Sequence, residues 1–351
     1  MDIKEQIKEL RDKGVPIYSI SRLNTIDECP LEYRMTYYDK LPSKDNIYGL
    51  TGGAIHKCLE NIQNGIKVNF PEEVDKILKE AAFLGIKFPT ENIEEKWKKN
   101  ILTFAQDYEA PYYEKKETEK PFLVELEGHY LQGIIDLLIY NEDGTVSIVD
   151  YKTSSKFTNA ELQTKGRQLI LYGVAMEQLG YKVKSLAWNM LKYVEISYTL
   201  KNGKTRTTIA ERGFVLDKLK NDITKELKAL NEFSDLEIEA LVDTAVQDNS
   251  FKSLPASIRD KYTINDYFQY YDYSEENVEE LKKFIKYKIE DIENNENNED
   301  WWEPKEIEQY TAFYCKFLCG QRQNCQALQD FLELEEAREE RKADLELAKF
   351  I

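Results

Sequence analysis

The sequence lacks several features that would assign it to particular classes of protein. No uninterrupted apolar run approaches the roughly 18 residues of a membrane-spanning helix, and residues 1–10 are charged where a secretory signal is apolar. The phosphate-binding pattern G-x-x-x-x-G-K-[ST] does not occur, which excludes an ATPase of that type. From these absences we expect a soluble, cytoplasmic protein with no membrane association.

Positive charge is also scarce, since 48 Lys and Arg stand against 65 Asp and Glu, for a formal net charge of −17. That balance argues against loose, non-specific coating of duplex nucleic acid, which requires Lys and Arg at the phosphates. The acidity is local, however. Residues 275–310 hold 13 acidic residues and 5 lysines, whereas residues 150–170 hold four basic and two acidic residues. The total charge therefore does not exclude a nucleic-acid substrate.

The most informative stretch is residues 133–152. Two apolar runs, 134–140 and 146–151, flank a polar loop that contains Asp143-Gly144, and this pattern predicts a β-hairpin. Each run contains a single aspartate, Asp136 in the first and Asp150 in the second. What these two carboxylates can do depends on how the strands pair.

A three-residue loop, 142–144, would pair strand positions whose numbers sum to 286. Asp136 would then lie directly opposite Asp150, with Lys152 on the same face, because side chains alternate along a strand. Opposed Cβ atoms are about 5 Å apart, so the two carboxylates would repel unless a cation such as Mg²⁺ or Mn²⁺ lay between them. A two-residue Asp-Gly turn would instead place the aspartates on opposite faces as ordinary solvated residues.

Other polar residues are candidates for the same site. A helix beginning near residues 51–53 carries His56, which would be a third metal ligand if it lies beside the carboxylates and a structural hydrogen-bonding residue if it does not. A strand beginning at Pro121 has Glu125 and Glu127 on one face, and either one of them joins the site or both are exposed.

The segment after the hairpin predicts a helix over residues 159–179. Gln168 and Tyr172 are four residues apart on it and therefore lie on one face, which is also common on helix surfaces. A second hairpin is predicted over residues 183–215, with its turn at Asn202-Gly203.

The cysteines are unevenly placed. Cys315, Cys319 and Cys325 lie within eleven residues, and such a cluster is more typical of metal binding than of a disulfide in a cytosolic protein. Three thiolates need a fourth ligand for a zinc site, and no histidine is near. Cys29 is the best candidate, although a buried thiol is the simpler interpretation of that residue alone. A site that included Cys29 would join the two ends of the chain.

Taken in order along the chain, these motifs resemble the PD-(D/E)XK nucleases of the RecB-like branch. The closest resemblance is to the iron–sulfur exonucleases that include CRISPR-associated adaptation nucleases and the nuclease domains of AddB-type helicase–nucleases. The resemblance covers residues 18–60, 121–180 and 310–326. It rests on S-x-S-x-L followed by C-P (Ser19, Ser21, Leu23, Cys29, Pro30), G-G-x-x-H ending at His56, G-x-x-D ending at Asp136, D-Y-K at 150–152, Q-x-x-x-Y at 168–172, and the terminal cysteines.

The resemblance implies a role for each matching residue. A Mg²⁺ or Mn²⁺ ion would be held by His56, Asp136, Asp150 and the carbonyl of Tyr151. Lys152 would orient or help to deprotonate the attacking water, and Gln168 and Tyr172 would position the site or the strand. A [4Fe–4S] cluster would be held by Cys29, Cys315, Cys319 and Cys325. This sequence departs from the family pattern in having three residues, rather than two, between the first two terminal cysteines.

The resemblance also implies a fold, a division of the chain and a function. We expect an α/β protein with a restriction-endonuclease-like core, in which helices flank a mixed central sheet, and an iron–sulfur closure of the chain ends. Residues 1–215 would form this core, 216–300 a mostly helical insertion, and 301–351 the cysteine segment and a charged helix. The expected function is a DNA nuclease acting on single-stranded or ended DNA, with a helicase, recombination or adaptation protein as its partner. The alternatives are a non-catalytic iron–sulfur subunit that binds DNA ends and a zinc-stabilised protein with no nucleic-acid role.

Overall fold

A computed structural model describes residues 2–199, 203–308 and 311–347 of the chain. Asn202 of the predicted second turn lies outside these residues. Within the described part, helices α1 to α12 span Ile3–Asp12, Ile20–Glu28, Pro30–Tyr37, Ile47–Gln63, Phe70–Phe83, Glu91–Asp107, Leu162–Gln178, Val215–Leu230, Asp235–Asp248, Ala256–Arg259, Glu275–Asn295 and Gln326–Leu347. Strands β1 to β7 span Ile17–Tyr18, Lys115–Leu126, His129–Tyr140, Thr145–Lys152, Lys182–Thr199, Thr205–Glu211 and Tyr262–Tyr271.

The seven strands form one mixed sheet. Its path runs β1-β3-β4-β5-β6, while β2 also pairs with β3 and β7 also pairs with β5. The β1–β3 and β4–β5 pairs are parallel, and the other pairs are antiparallel. The parallel β4–β5 pair requires a crossover, which α7 supplies.

Helices cover both faces of this sheet, so the chain has the mixed α/β fold expected from the sequence. On one face, α2, α7 and α11 pack on strand residues such as Leu138 and Trp188. On the other, α4, α5 and α6 pack on Leu137 and Val149. A third cluster joins β5 and β6 to α8 and α9. The central strands are therefore buried from both sides.

The central hairpin has the register that the three-residue loop predicts. Leu137 pairs with Val149 and Tyr140 with Val146, so paired numbers sum to 286. The Asn141 backbone N–H donates to the Thr145 carbonyl at 2.9 Å. Gly144 has φ 79°, the left-handed conformation that this loop requires and that glycine adopts without steric cost. The two-residue turn is excluded.

Two predicted element boundaries are wrong, and both affect the site. Helix α4 begins at Ile47 rather than near residue 51, because the Asn46 side chain caps it by accepting from the Gly49 N–H. Strand β2 begins at Lys115 rather than Pro121. Its charged first half has low β propensity but pairs with the apolar half of β3, so tertiary pairing overrides local preference.

Residues 216–300 are mostly helical, as predicted, but they also contain β7, which the sequence analysis did not predict. Strand β7 pairs with β5 in the central sheet. Helix α11 packs against α7, where Arg167 forms an ion pair with Glu280 at 2.8 Å. The division of the chain into a core, this segment and a cysteine segment remains a prediction. None of the described helices is long and apolar enough to cross a membrane.

Candidate active site

Two aspartates lie side by side on the central hairpin. Continuing the register beyond the Leu137–Val149 pair places Asp136 opposite Asp150. Both are buried, with Asp136 8% and Asp150 2% exposed. The Tyr151 backbone N–H donates to Asp136 Oδ2 at 2.7 Å, which fixes the orientation of that carboxylate. Buried carboxylates in this arrangement require a nearby positive charge.

The surroundings disfavour the ionised form of Asp150. Burial raises its pKa, the charge of Lys152 lowers it, and the charge of Asp136 raises it again. The net direction is upward, so the lysine does not offset burial and carboxylate repulsion completely. A cation placed between the two aspartates would remove this penalty.

Lys152 begins a connected chain of polar side chains that leads away from Asp150. Its Nζ lies 2.6 Å from Asp150 Oδ2 and donates to Gln168 Oε1 at 3.1 Å. The Gln168 Nε2 in turn donates to the Tyr172 hydroxyl at 2.8 Å. The structure therefore brings the Gln168–Tyr172 pair, which is unremarkable in sequence, into contact with the lysine of the D-Y-K motif.

A close approach explains the glycine in the G-x-x-D motif. A Cβ on Gly133 would lie 2.5 Å from the Phe122 ring, so any larger residue would displace that ring. The Phe122 ring packs edge-to-face on Tyr172 with 5.6 Å between centroids. Gly133 thus allows an aromatic contact that holds Tyr172 beside Gln168.

His56 reaches the same site from helix α4. Its Nε2 lies 3.0 Å from the Tyr151 carbonyl oxygen, and its Nδ1 lies 3.5 Å from Asp136 Oδ1. Burial lowers the pKa of His56, but the hydrogen bond and charge of Asp136 outweigh that effect and raise it. His56 therefore contacts two of the other three predicted ligands, the Tyr151 carbonyl and Asp136.

One acidic residue beside these groups, Glu119, was not predicted from the sequence. One potential ligand atom from each of His56, Glu119 and Asp136 lies within 4.8 Å of the other two. The β2–β3 pairs on either side of Glu119 have numbers that sum to 255, which places Glu119 opposite Asp136. Burial and the charge of Asp136 raise the pKa of Glu119. It is therefore a further candidate metal ligand.

The turn between β2 and β3 determines which residue lies opposite Glu119. The β2–β3 connection is the two-residue turn Glu127-Gly128, with φ 53° and 79°. Identifying a tight Glu-Gly hairpin turn would have fixed the register and placed position 119 opposite Asp136. Glu125 and Glu127, considered as alternatives, are exposed and do not join the site.

The donor set fits a hard divalent cation. Carboxylate oxygens, one imidazole and one backbone carbonyl are typical ligands of Mg²⁺ and Mn²⁺. The carboxylates come from three adjacent strands, the imidazole from α4, and Tyr151 contributes the carbonyl.

The four cysteines of the predicted cluster lie in one neighbourhood. Cys29 separates α2 from α3 and is buried, as is Cys319. Burial raises the pKa of Cys29, Cys315 and Cys319, and the charges of neighbouring cysteines raise it further. Among the described residues, no three of these sulfurs lie within 4.8 Å of one another. A single tetrahedral zinc ion would hold its thiolates about 3.8 Å apart, so this spacing is not that of a preformed zinc site.

Hydrogen bonds between protein groups also join the two chain ends. Glu32, 7% exposed, accepts from the Tyr314 hydroxyl at 2.7 Å and from the Gly320 N–H at 3.0 Å. The Lys44 N–H donates to the Gly320 carbonyl, and Arg322 donates to the Lys44 carbonyl at 2.9 Å. The cysteine segment is therefore anchored to α3 and to the loop before α4 by groups other than thiols.

Comparison with known proteins identifies a matching family. The sequence model of one protein family, described as the PD-(D/E)XK nuclease superfamily, matches residues 17–326 of this chain. No curated protein matches the chain significantly. Among solved structures, one titled "Crystal structure of SSO0001" is 16% identical, and the match covers 54% of this chain and 75% of that chain with a TM-score of 0.18. A structural match of that score carries no argument here.

Proposed function

We propose that this chain, which belongs to the PD-(D/E)XK nuclease superfamily, is a metal-dependent deoxyribonuclease that degrades single-stranded DNA from its ends. The observation that supports this most directly is the convergence of Asp136, Asp150 and Lys152 with His56 on the central hairpin. The process it serves would be recombination, repair or CRISPR adaptation, with a helicase or adaptation protein supplying the ended strand.

In this proposal Asp136, Asp150, His56 and the Tyr151 carbonyl hold a Mg²⁺ or Mn²⁺ ion, with Glu119 as a further ligand. When bound, the ion lowers the pKa of the attacking water and stabilises the charge that develops on the phosphate. Lys152 orients that water and balances the growing negative charge. Gln168, itself held by Tyr172, fixes the position of the lysine ammonium.

We also propose that Cys29, Cys315, Cys319 and Cys325 hold a [4Fe–4S] cluster. A cubane cluster spreads its four thiolates more widely than a single ion does, so it does not require three sulfurs within 4.8 Å of one another. Burial and mutual repulsion disfavour the free thiolates, and iron would remove that penalty. Iron and sulfide in about equal amounts in the purified protein, with absorbance near 400 nm, would support the cluster. Zinc without iron in a colourless protein would refute it.

A strand-degradation assay tests the nuclease proposal. Single-stranded oligonucleotides labelled at the 5′ or the 3′ end, and a circular single strand, are incubated with Mn²⁺ or Mg²⁺. We expect the linear strands to be degraded and the circle to persist, and Asp150→Ala and Lys152→Ala to abolish degradation. Asp143→Ala, which changes an exposed aspartate of the same hairpin loop, is the matched control and should stay active. Cutting of the circle would refute end dependence.

The same assay separates the catalytic proposal from the non-catalytic one. Wild-type protein that binds ended DNA but cuts it with neither metal would be an end-binding subunit. Full activity in both site variants would remove these residues from the chemistry.

A further inference from the structure

A cavity lies next to the candidate active site, just past the carboxyl end of β4. It has a volume of about 490 Å³, and the proposed mechanism uses none of its residues. Thr153, Ser154 and Ser155, which follow Lys152 directly, form part of its wall. The remaining wall comes from α4, α6, β5, the cysteine segment and Glu211 at the end of β6. Ligands of α/β proteins commonly bind beyond the carboxyl ends of parallel strands, which is where this cavity lies.

Aromatic rings line much of this cavity. Tyr48 at the start of α4 and Phe313 of the cysteine segment both face it, and Phe313 is 42% exposed. Trp97 of α6 also lines it and is 3% exposed.

The cavity contains two lysines and one carboxylate, that of Glu211. Lys192 of β5 and Lys96 of α6 line it, and neither forms an ion pair with a carboxylate in the described part of the chain. Lys152 pairs with Met190 across the β4–β5 ladder, so Lys192 lies only two residues beyond the partner of Lys152. Burial lowers the pKa of Lys192, and the charge of Glu211 offsets only part of that effect. A bound anion would stabilise this ammonium.

We infer that this cavity binds one nucleotide of the single-stranded substrate, adjacent to the phosphate that is cut. Stacking on Phe313 and Tyr48 would hold the base, and Lys192 and Lys96 would bind its phosphate. This inference rests on the proposed function, because it requires a DNA strand to pass Lys152. Since stacking tolerates every base, the cavity would select single strands without selecting their sequence.

The inference also gives the cysteine segment a direct role at the substrate. Phe313 and Leu318 of the cavity wall lie on either side of Cys315, and Leu318 precedes Cys319. A metal centre that orders this segment would therefore complete the nucleotide cavity as well as join the chain ends.

Binding measured without cutting tests the inference. The full-length protein with its native metal content is titrated against a fluorescently labelled oligo-dT in Ca²⁺, and anisotropy is followed at several salt concentrations. We expect Lys192→Met to weaken binding about tenfold and to reduce the slope of log affinity against log salt by about 0.7, the value for one phosphate contact on a single strand. Lys192→Arg should keep the slope. Lys182→Met, on the same strand but at its other end, is the matched control.

A second variant tests the base. Phe313→Leu should weaken binding about tenfold without changing the salt slope, because the variant loses base stacking on an aromatic ring but keeps every phosphate contact. On an abasic strand of equal length this loss should disappear, while the loss from Lys192→Met should remain. Phe83→Leu, which changes an exposed ring of α5 outside the cavity, is the control.

The outcomes distinguish this inference from the proposed function. Unchanged affinity and unchanged salt slope in Lys192→Met and Phe313→Leu, with wild-type cutting intact, would overturn the nucleotide cavity alone. Binding that depends on both residues in a protein that never cuts would support the cavity and refute the nuclease.

Discussion

Glu119 and Asp136 face each other across the β2–β3 ladder, and the ladder is interrupted only at this pair. The pairs on either side keep one register, but Glu119 has φ 48°, in the left-handed region that residues with a Cβ rarely adopt. Two acidic residues thus meet at a strained point of the sheet. Strained backbone of this kind is concentrated at functional sites, where other interactions compensate for it.

If Glu119 is a metal ligand, its substitution should change metal dependence more than substrate binding. We expect Glu119→Gln to raise the Mn²⁺ concentration for half-maximal cutting about tenfold, the lower end of what altered metal sites show. Glu125→Gln, on the same strand but exposed, should leave it unchanged. The measurement is the initial rate against free Mn²⁺ at saturating DNA. An unchanged metal curve would show that Glu119 is not a ligand.

The strained backbone at Glu119 predicts a stabilising substitution. Glu119→Gly should relieve the left-handed conformation and the repulsion from Asp136, raising the free energy of unfolding by about 1 kcal/mol. Metal-dependent activity should fall at the same time. Glu127→Gly, at another left-handed glutamate in an exposed turn, should stabilise without loss of activity. Thermal unfolding without added metal measures the stability of both variants. Destabilisation of the Glu119 variant would contradict the strain argument.

The contacts of Gln168 indicate that it affects catalysis only by positioning Lys152. We expect Gln168→Ala to lower kcat about tenfold or more with little change in KM, because it frees the Lys152 ammonium without removing it. Tyr172→Phe should have a smaller effect in the same direction, since it removes only the hydroxyl that holds Gln168. Gln178→Ala on the same helix is the control. Equal rates in all four proteins would leave Gln168 with no positioning role.

Glu32 anchors the cysteine segment, so removing its carboxylate should loosen the closure of the chain ends. Glu32→Ala leaves the Tyr314 hydroxyl and the Gly320 N–H without their acceptor, at a cost of about 1–3 kcal/mol. We expect a lower thermal midpoint and faster proteolysis within residues 301–326. Glu9→Gln, which breaks an exposed ion pair with Lys13, should change neither. A protease pattern identical to wild type would contradict this anchoring role.

The lowered pKa of Lys192 predicts that the stability of the folded protein depends on pH. Its pKa is lowered in the folded protein, so folding releases protons and stability rises as pH increases from the folded pKa toward the unfolded value of about 10.4. Lys192→Met should therefore be more stable than wild type at neutral pH, and the difference should narrow as pH rises. Thermal unfolding of both proteins between pH 7 and pH 10 measures this. A variant that is less stable at every pH would show that the buried ammonium is not a source of instability.

Much of the candidate site followed from the sequence because it depends on local geometry. The loop length fixes the hairpin register, and the period of two along a strand then sets Asp136 opposite Asp150 with Lys152 on the same face. The helical period likewise places Gln168 beside Tyr172. Each of these relations links residues that are close along the chain, so a few backbone angles determine it.

Other features were decided only when distant segments packed together. The charged start of β2 becomes a strand because it pairs with β3, and this brings Glu119 to the candidate metal ligands His56 and Asp136. Helix α4 begins at Ile47, so His56 reaches Tyr151 from its third turn. The wall of the proposed nucleotide cavity is formed by α4, α6, β5, β6, the cysteine segment and the residues that follow β4. Sequence periodicity reports which face of an element is buried, whereas the partner it is buried against depends on the free energy of the whole packed chain.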